Sequence, residues 1–128
     1  MKYLVDTHVL IWAVLNSSKL TPRARELLSD ARSEYYFSTA SLWEIAIKRA
    51  KNPDKIPIAA WDALALFTES GFRELAISSR HAIVTGELPE IHNDPFDRML
   101  LAQAKTEGMP LITHDGPMTA YGDYVIGV

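Results

Sequence analysis

Short apolar runs alternate with helix-like segments along the whole chain, and this alternation constrains the fold more than any other feature of the sequence. Strands that alternate with helices form βαβ units, in which the strands are parallel and the connecting helices cover the sheet. The resulting sheet is mostly parallel and is covered on both faces. We therefore expect an α/β fold, a three-layer α/β/α sandwich around a parallel sheet of about five strands.

Caps, turn residues and periodicity divide the chain into five strands and six helices. The predicted strands are residues 2–6, 34–38, 72–77, 110–113 and 124–126. The predicted helices are residues 8–15, 22 to about 30, about 39–51 with Thr39 or Ser41 as the cap, 59–69, 79 to about 87, and 94–107. Gly108 stands where a helix commonly ends in a left-handed residue.

Length and composition indicate one soluble domain that spans residues 1–128. Hydrophobic residues make up 48% and charged residues 23% of the chain, which is the balance of a globular protein. The absence of cysteine excludes disulfides, thiolate catalysis and thiolate metal sites, and it favours a reducing compartment. There is no signal peptide and no run of about 20 apolar residues, so we expect a cytoplasmic protein without a membrane span.

The net charge of −3 gives no support to a large nucleic-acid-binding face, since such domains are usually basic. The positive charges are unevenly spread, however, and Lys48, Arg49, Lys51 and Lys55 form a cluster. Bound divalent cations would also cancel several of the acidic charges. Net charge therefore leaves the partner of this protein open.

Two aspartates end apolar runs that are far apart in the sequence. Asp6 closes the first predicted strand, and Asp115 follows the fourth. In common doubly wound sheets these two strands are neighbours, about 5 Å apart, and ligands bind beyond their carboxyl ends. Two carboxylates that close need a cation or a shared proton, which favours metal-dependent phosphate chemistry. Each aspartate alone also suits a local role, Asp6 as a helix cap and Asp115 in an Asp-Gly turn.

Three further acids could join this pair. Glu44 precedes Lys48 by four residues on a predicted helix, where an ordinary exposed ion pair is the structural alternative. Asp94 precedes a proline in a helix-start pattern, and Asp97 falls in the first turn, where the helix dipole favours an acid. Arg98 could pair with a nearby acid or contact a phosphate.

Other polar and aromatic residues carry less information. The histidines have none of the spacings of zinc ligands; they are residues 8, 81, 92 and 114. The three tryptophans, at positions 12, 43 and 61, are expected in the core or at interfaces rather than as base-stacking platforms. No glycine-rich phosphate loop is present, so binding of nucleoside triphosphates or dinucleotides has no support.

The chain resembles the PIN-domain family, and within it the VapC toxins of bacterial toxin–antitoxin systems. Four ordered segments carry the resemblance: Leu-Val-Asp6-Thr-His-Val-Leu-Ile-Trp, Ser-Leu-Trp-Glu44-Ile-Ala-Ile-Lys, His-Asn-Asp94-Pro-Phe-Asp97-Arg-Met-Leu-Leu-Ala-Gln-Ala, and Leu-Ile-Thr-His-Asp115. With the elements between them they span essentially the full length. The Asp-Pro-Phe-Asp-Arg piece is the most distinctive.

The resemblance implies strand order 3-2-1-4-5 and a metal-dependent endoribonuclease. It implies that Asp6, Glu44, Asp97 and Asp115 are the metal ligands and catalytic residues. Outer-shell or substrate contacts would come from Asp94, Arg98 and Thr113. Carboxylate oxygens without sulfur suit Mg²⁺, with Mn²⁺ as the other candidate. One metal, or two about 4 Å apart, would activate water for hydrolysis of an RNA phosphodiester bond, leaving 3′-hydroxyl and 5′-phosphate ends.

The resemblance also implies partners: an RNA substrate, a VapB-like antitoxin and a second copy of the toxin in a homodimer. The apolar segment 58–67 and the helix after Ser79 are candidate docking sites for the antitoxin. A receiver-like phospho-acceptor domain is an alternative, but it needs a lysine at the end of the fifth strand. A haloacid-dehalogenase-type phosphatase needs an acid at position 8, which is histidine. A non-catalytic binding module stays open.

Overall fold

The computed structural model describes residues 1–128 and confirms the predicted parallel sheet with strand order 3-2-1-4-5. The strands are β1 (Lys2–Val5), β2 (Glu34–Ser38), β3 (Arg73–Leu75), β4 (Leu111–Thr113) and β5 (Val125–Gly127). The helices are α1 (Thr7–Val14), α2 (Pro22–Leu27), α3 (Thr39–Lys51), α4 (Ala60–Glu69), α5 (Ser79–Thr85) and α6 (Pro95–Glu107). A 3₁₀ helix, Gly116–Tyr121, lies between β4 and β5.

Two hydrophobic cores lie on opposite faces of the sheet, because successive side chains of a strand point in opposite directions. Leu4 of β1 and its register partner Leu111 of β4 lie in the core beneath α6. The next pair, Val5 and Ile112, lies in the core shared with helices α1 to α4. All four side chains are fully buried. The layered sandwich expected from the sequence follows from these two cores.

The helices near the carboxyl ends of β1 and β2 begin without a loop, because the residue that ends each strand region also caps the next helix. The Asp6 carboxylate accepts a hydrogen bond from the N–H of His8, and the Ser38 hydroxyl accepts one from the first turn of α3. Ser38, rather than Thr39 or Ser41, is the cap because its extended backbone (φ −85°, ψ 146°) continues β2 up to the helix. Both helix starts therefore lie at the same edge of the sheet.

Several predicted elements are shorter in the structure. Helix α2 ends at Leu27 instead of near Asp30, because Asp30 accepts hydrogen bonds from the N–H of Arg32 and the hydroxyl of Ser33 and closes a local turn. Strand β3 has three residues, and α5 ends at Thr85. The 3₁₀ helix was not predicted, since six residues are too few to show a helical period.

The three tryptophans were expected in the core or at interfaces, but none of them is a buried core residue. Trp12 is half-buried and packs against the core of α1 to α4. Trp43 is 58% exposed and Trp61 is 84% exposed. Helix α4 turns Ala63 and Phe67 inward, so Trp61 on its other side points to solvent.

Candidate metal centre

A polar cleft of about 380 Å³ lies at the carboxyl ends of β1 and β4, the neighbouring strands at which the chain reverses its order in the sheet. Ligands of open α/β sheets bind at such a switch point. All five acids singled out in the sequence line this cleft, together with three histidines, a tryptophan and a lysine: Asp6, His8, Trp12, Glu44, Lys48, His92, Asp94, Asp97, His114 and Asp115. We refer to it as the acidic cleft.

Asp6 serves as a helix cap and as a member of the acidic cleft at the same time. Its side chain is 5% exposed, and one oxygen accepts the N–H of His8 at 2.9 Å. The other oxygen accepts a hydrogen bond from the hydroxyl of Thr113. Burial raises the pKa of Asp6, although the hydrogen bonds from Thr113 and His8 oppose that change.

Thr113 connects the two strand-end aspartates. It is the last residue of β4 and is fully buried. Its hydroxyl donates to the Asp6 carboxylate and accepts the backbone N–H of Asp115 at 3.0 Å. A single side chain thus links the Asp6 carboxylate to the backbone of Asp115.

Glu44 is buried instead of forming the exposed pair that its sequence also allowed. The residue is 3% exposed because α3 packs its inner face toward α1. One oxygen accepts the hydroxyl of Thr7 at 2.7 Å, and the other is paired with the ammonium group of Lys48. Burial alone would lower the pKa of Lys48, but the hydrogen bond and the charge of Glu44 outweigh it and raise that pKa. Lys48 therefore stays charged and balances one of the acids.

Asp94 and Asp97 come from the start of α6. Asp94 caps the helix and accepts the N–H groups of Phe96 and Asp97 at 2.8 and 3.2 Å. The side chain of Asp97 is 17% exposed. Burial, followed by the negative charges of Asp94, Asp6 and Glu44, raises the pKa of Asp97 to about 7. The ionised form of Asp97 is thus disfavoured unless a cation is close.

His92 is a site residue that the sequence reasoning missed. Its Nε2 atom lies 2.8 Å from an oxygen of Asp97 and 3.1 Å from an oxygen of Asp115. One donor atom from each of these three residues lies within 4.8 Å of the other two. A search for zinc-ligand spacing could not find a lone histidine between acids. The available signal was its position two residues before Asp94, in the segment that contains the most distinctive motif.

Arg98 does not pair with an acid or lie open to a phosphate, contrary to the sequence-based expectation. Its guanidinium group donates to one hydroxyl and four backbone carbonyls, those of Tyr121, Thr85, Leu88, Pro89 and His92. The segment between α5 and α6 provides no backbone N–H donors for these carbonyls. The planar guanidinium group of arginine has five N–H donors and can therefore hydrogen-bond to several carbonyls at once. The backbone N–H of His92 donates to the Tyr121 hydroxyl at 2.7 Å, and its carbonyl accepts from Arg98. Both backbone polar groups of His92 are therefore hydrogen-bonded.

The donor set fits a hard divalent cation. Five carboxylates converge on the acidic cleft, and no sulfur ligand is available in the chain. Oxygen ligands of this kind suit Mg²⁺ and Mn²⁺, and the imidazole of His92 is a donor that Mn²⁺ accepts more readily than Mg²⁺ does. The tightest group is His92, Asp97 and Asp115, whereas the oxygens of Asp6 and Glu44 are engaged by hydroxyl donors.

A family model described as PIN domain matches residues 3–123. The chain belongs to the PIN-domain family. This assignment rules out the receiver-like and dehalogenase-type alternatives, and it agrees with the strand order of this PIN domain. No curated protein matches the sequence.

Solved structures of bacterial toxin–antitoxin proteins share this fold. VapBC2 from Rickettsia felis, bound to a DNA fragment from its promoter, has a TM-score of 0.69 and 19% identity and covers 100% of this PIN domain and 98% of that chain. A toxin–antitoxin complex from Klebsiella pneumoniae has a TM-score of 0.67 and 22% identity, with coverages of 97% and 95%. Mycobacterium tuberculosis VapC20, described as a sarcin-ricin loop cleaving toxin, has a TM-score of 0.62 and 19% identity, with coverages of 94% and 95%.

The helices of this PIN domain are short. The longest, α3 and α6, have 13 residues each, and none combines the length and apolar character that crossing a membrane requires.

Proposed function

We propose that this PIN domain is a divalent-cation-dependent endoribonuclease and the toxin of a VapBC-type toxin–antitoxin pair. The observation that carries the proposal is the convergence of Asp6, Glu44, Asp97 and Asp115 on one cleft at the switch point of a PIN fold. Similar structures are described as toxin–antitoxin complexes, and one as a sarcin-ricin loop cleaving toxin. Acid clusters of this kind hold the metal ions of many nucleases.

The four acids would hold Mg²⁺ or Mn²⁺, with His92 as a further donor within reach. When bound, the cation neutralises charge on the scissile phosphate and lowers the pKa of a water molecule. The roles of the remaining groups follow from their contacts. Thr113 and Thr7 hold the Asp6 and Glu44 carboxylates in one orientation each. Such fixed ligands need little reorganisation when substrate binds.

Lys48 has a second role in this proposal. Its side chain is 38% exposed while the ammonium group pairs with Glu44, and the ammonium nitrogen lies 3.9 Å from an oxygen of Asp94. A cation that keeps one side open to the cleft can contact a non-bridging phosphate oxygen without losing its carboxylate partner. Lys48 would therefore position the substrate as well as balance the acids.

The partners proposed for this chain are a VapB-like antitoxin and a second copy of itself. Support comes from the structures that share the fold, which are described as VapBC and FitAB assemblies. Segment 58–67 and α5 remain the proposed docking sites, and the exposed Trp61 gives the first of them a large apolar side chain on the surface.

Incubation of the purified protein with total cellular RNA tests the activity. We expect cleavage with Mg²⁺, no cleavage with EDTA, and a loss of at least about 100-fold for Asp6→Asn, because the variant keeps the cap but lacks a ligand charge. Asp62→Asn removes an exposed acid of α4 and is the matched control, with full activity expected. Equal cleavage in EDTA, or by the Asp6 variant, would contradict the proposed mechanism, and products without 5′-phosphate ends would contradict the proposed chemistry.

A further inference from the structure

The structure divides the basic cluster of the sequence into two parts. Arg49 donates to the backbone carbonyl of Ile56 at 2.6 Å and is engaged in the fold. Lys48, Lys51 and Lys55 instead line a second cleft, of about 560 Å³. Lys19, from the loop after α1, lines the same cleft, although it is far from the cluster in the sequence. We refer to this second region as the lysine cleft.

The fully charged side chains that line the lysine cleft are all lysines, of which Lys48 is paired with Glu44. Four lysines line it and no carboxylate does, although the whole chain has a net charge of −3. Lys48 and Lys51 lie in the last turn of α3, where cations also complement the helix dipole. That explanation does not extend to Lys19 and Lys55, which lie outside helices. Neither of them, nor Lys51, has a carboxylate partner among the ion pairs of the structure.

The lysine cleft is continuous with the acidic cleft. His8, Trp12 and Lys48 line both of them. The half-buried Trp12 ring stands with its centre 5.1 Å from that of His114 and 6.0 Å from that of His8. Both histidines are exposed. A group of three aromatic rings thus marks the junction between the lysines and the candidate metal ligands.

We propose that the lysine cleft binds the single-stranded RNA that flanks the scissile phosphate, with phosphates on Lys19, Lys51 and Lys55 and a base stacked on the ring group of Trp12. Basic grooves with aromatic platforms bind single strands in this way and need no particular sequence, since every base has a stacking face. A duplex keeps its bases stacked on each other, so the ring group favours an unpaired strand. The proposal rests on the proposed function and specifies how the substrate reaches the acidic cleft.

An acidic segment of a protein partner is the competing occupant. Carboxylates could also pair with the four lysines, but they would gain nothing from the ring group. The ring group and the shared residues with the acidic cleft therefore favour RNA. The lysine and tryptophan variants described below distinguish RNA from an acidic protein segment.

Binding is best measured in the Asp97→Asn background, which is expected to bind RNA without cleaving it. A fluorescein-labelled single-stranded RNA is titrated with this protein and Mg²⁺ over a series of KCl concentrations, and anisotropy gives the affinity. Addition of Lys51→Gln and Lys55→Gln should make the negative slope of log affinity against log salt less steep by about 1.4, because two phosphate contacts are lost. The matched pair Arg80→Gln and Lys105→Gln removes two exposed charges elsewhere and should leave the slope unchanged.

A second variant tests the ring group. Trp12→Leu keeps apolar bulk at the position and should weaken RNA binding by at least about fivefold if a base stacks there. Circular dichroism melting checks that each variant is folded. An unchanged salt slope in the lysine pair would overturn the inference. Binding of poly-glutamate that depends on the lysine pair, with RNA binding that does not, would also overturn it and assign the cleft to a protein segment.

These outcomes are separable from failure of the proposed function. Lysine-dependent RNA binding by a protein that cleaves no RNA would support the cleft and contradict the nuclease. Metal-dependent cleavage with a kcat/KM that the lysine pair leaves unchanged would support the nuclease and contradict the cleft.

Discussion

The acidic cleft and the lysine cleft adjoin each other and are built in opposite ways. In the acidic cleft, the carboxylates of Asp6 and Glu44 are buried, and each accepts a hydrogen bond from a threonine hydroxyl, that of Thr113 for Asp6 and that of Thr7 for Glu44. In the lysine cleft, Lys51 and Lys55 are exposed and have no ion-pair partner. The difference fits different tasks. Metal ligands must be held within a fraction of an ångström, whereas cations that hold a phosphate chain act over longer distances.

The two clefts should also differ in how much they reduce the stability of the folded protein. Acids gathered in one cleft repel each other and need supporting contacts from the rest of the fold. Exposed lysines stay solvated and need few such contacts. Stability measurements on matched variants can therefore test the comparison, and three follow in order of expected effect.

Arg98→Gln should have the largest effect. The substitution removes the fork that satisfies four backbone carbonyls in residues 85–92, the segment that ends in His92 at the acidic cleft. We expect the free energy of unfolding to fall by about 2–4 kcal/mol, less than the sum of the bonds because water can reach some of the carbonyls. Urea denaturation measures it, with Arg80→Gln as an exposed arginine control that should stay within about 0.5 kcal/mol. Equal values for both variants would show that the support of the loop is unimportant.

Asp97→Asn should have an intermediate effect of opposite sign. The pKa of Asp97 is raised from 3.8 to about 7 in the folded protein. The wild type is therefore stabilised by the proton below about pH 4 and loses that contribution as the pH rises through about 7. In EDTA above pH 7, the variant should be more stable than the wild type by about 1–3 kcal/mol, since one pKa unit corresponds to about 1.4 kcal/mol.

Thermal melting from acid to mildly alkaline pH measures this difference, with Asp62→Asn as the control whose curve should follow that of the wild type. Addition of Mg²⁺ should then stabilise the wild type more than the Asp97 variant, because the variant has lost one ligand charge. Parallel curves for wild type and Asp97→Asn at all pH values would contradict the repulsion between the acids.

Replacement of Lys51 and Lys55 by glutamine should have the smallest effect. Exposed cations without partners contribute little to folding, so the free energy of unfolding should change by less than about 0.5 kcal/mol. Urea denaturation at low salt is the most sensitive condition, because screening is weakest there. A loss comparable with that of Arg98→Gln would mean that the lysine cleft is also a structural element and would remove the distinction between the two clefts.

Much of the fold was predictable because its signals are local. The helix caps, such as Asp94 before Pro95, depend on residues within one turn, and so does the glycine that ends α6, Gly108 at φ 67°. The strand order came from the family resemblance, and the adjacency of β1 and β4 also from general topology. The boundaries of α2 and the 3₁₀ helix were harder to predict, because side chains such as that of Asp30 compete locally with the helix.

The placement of the acids in one cleft followed from the carboxyl ends of parallel strands, but their environment did not. Burial of Glu44 depends on how α3 packs against α1, which its spacing to Lys48 leaves open. Arg98 follows Asp97 in the chain yet points to a different set of groups, since neighbouring positions on a helix face different directions. A motif therefore marked the right segment without assigning a role to each of its residues.

The sequence by itself determined the alternation of strands and helices and the acids that end them, because caps, turns and periodicity are properties of neighbouring residues. Only the tertiary structure decided which side chains from distant segments meet in the two clefts. His92 reaches Asp115 across 23 positions, and Lys19 joins Lys55 across a cleft between separate elements. These pairs form because loops pack against a common edge of the sheet, and the positions of loops are set by long-range contacts that no local pattern records.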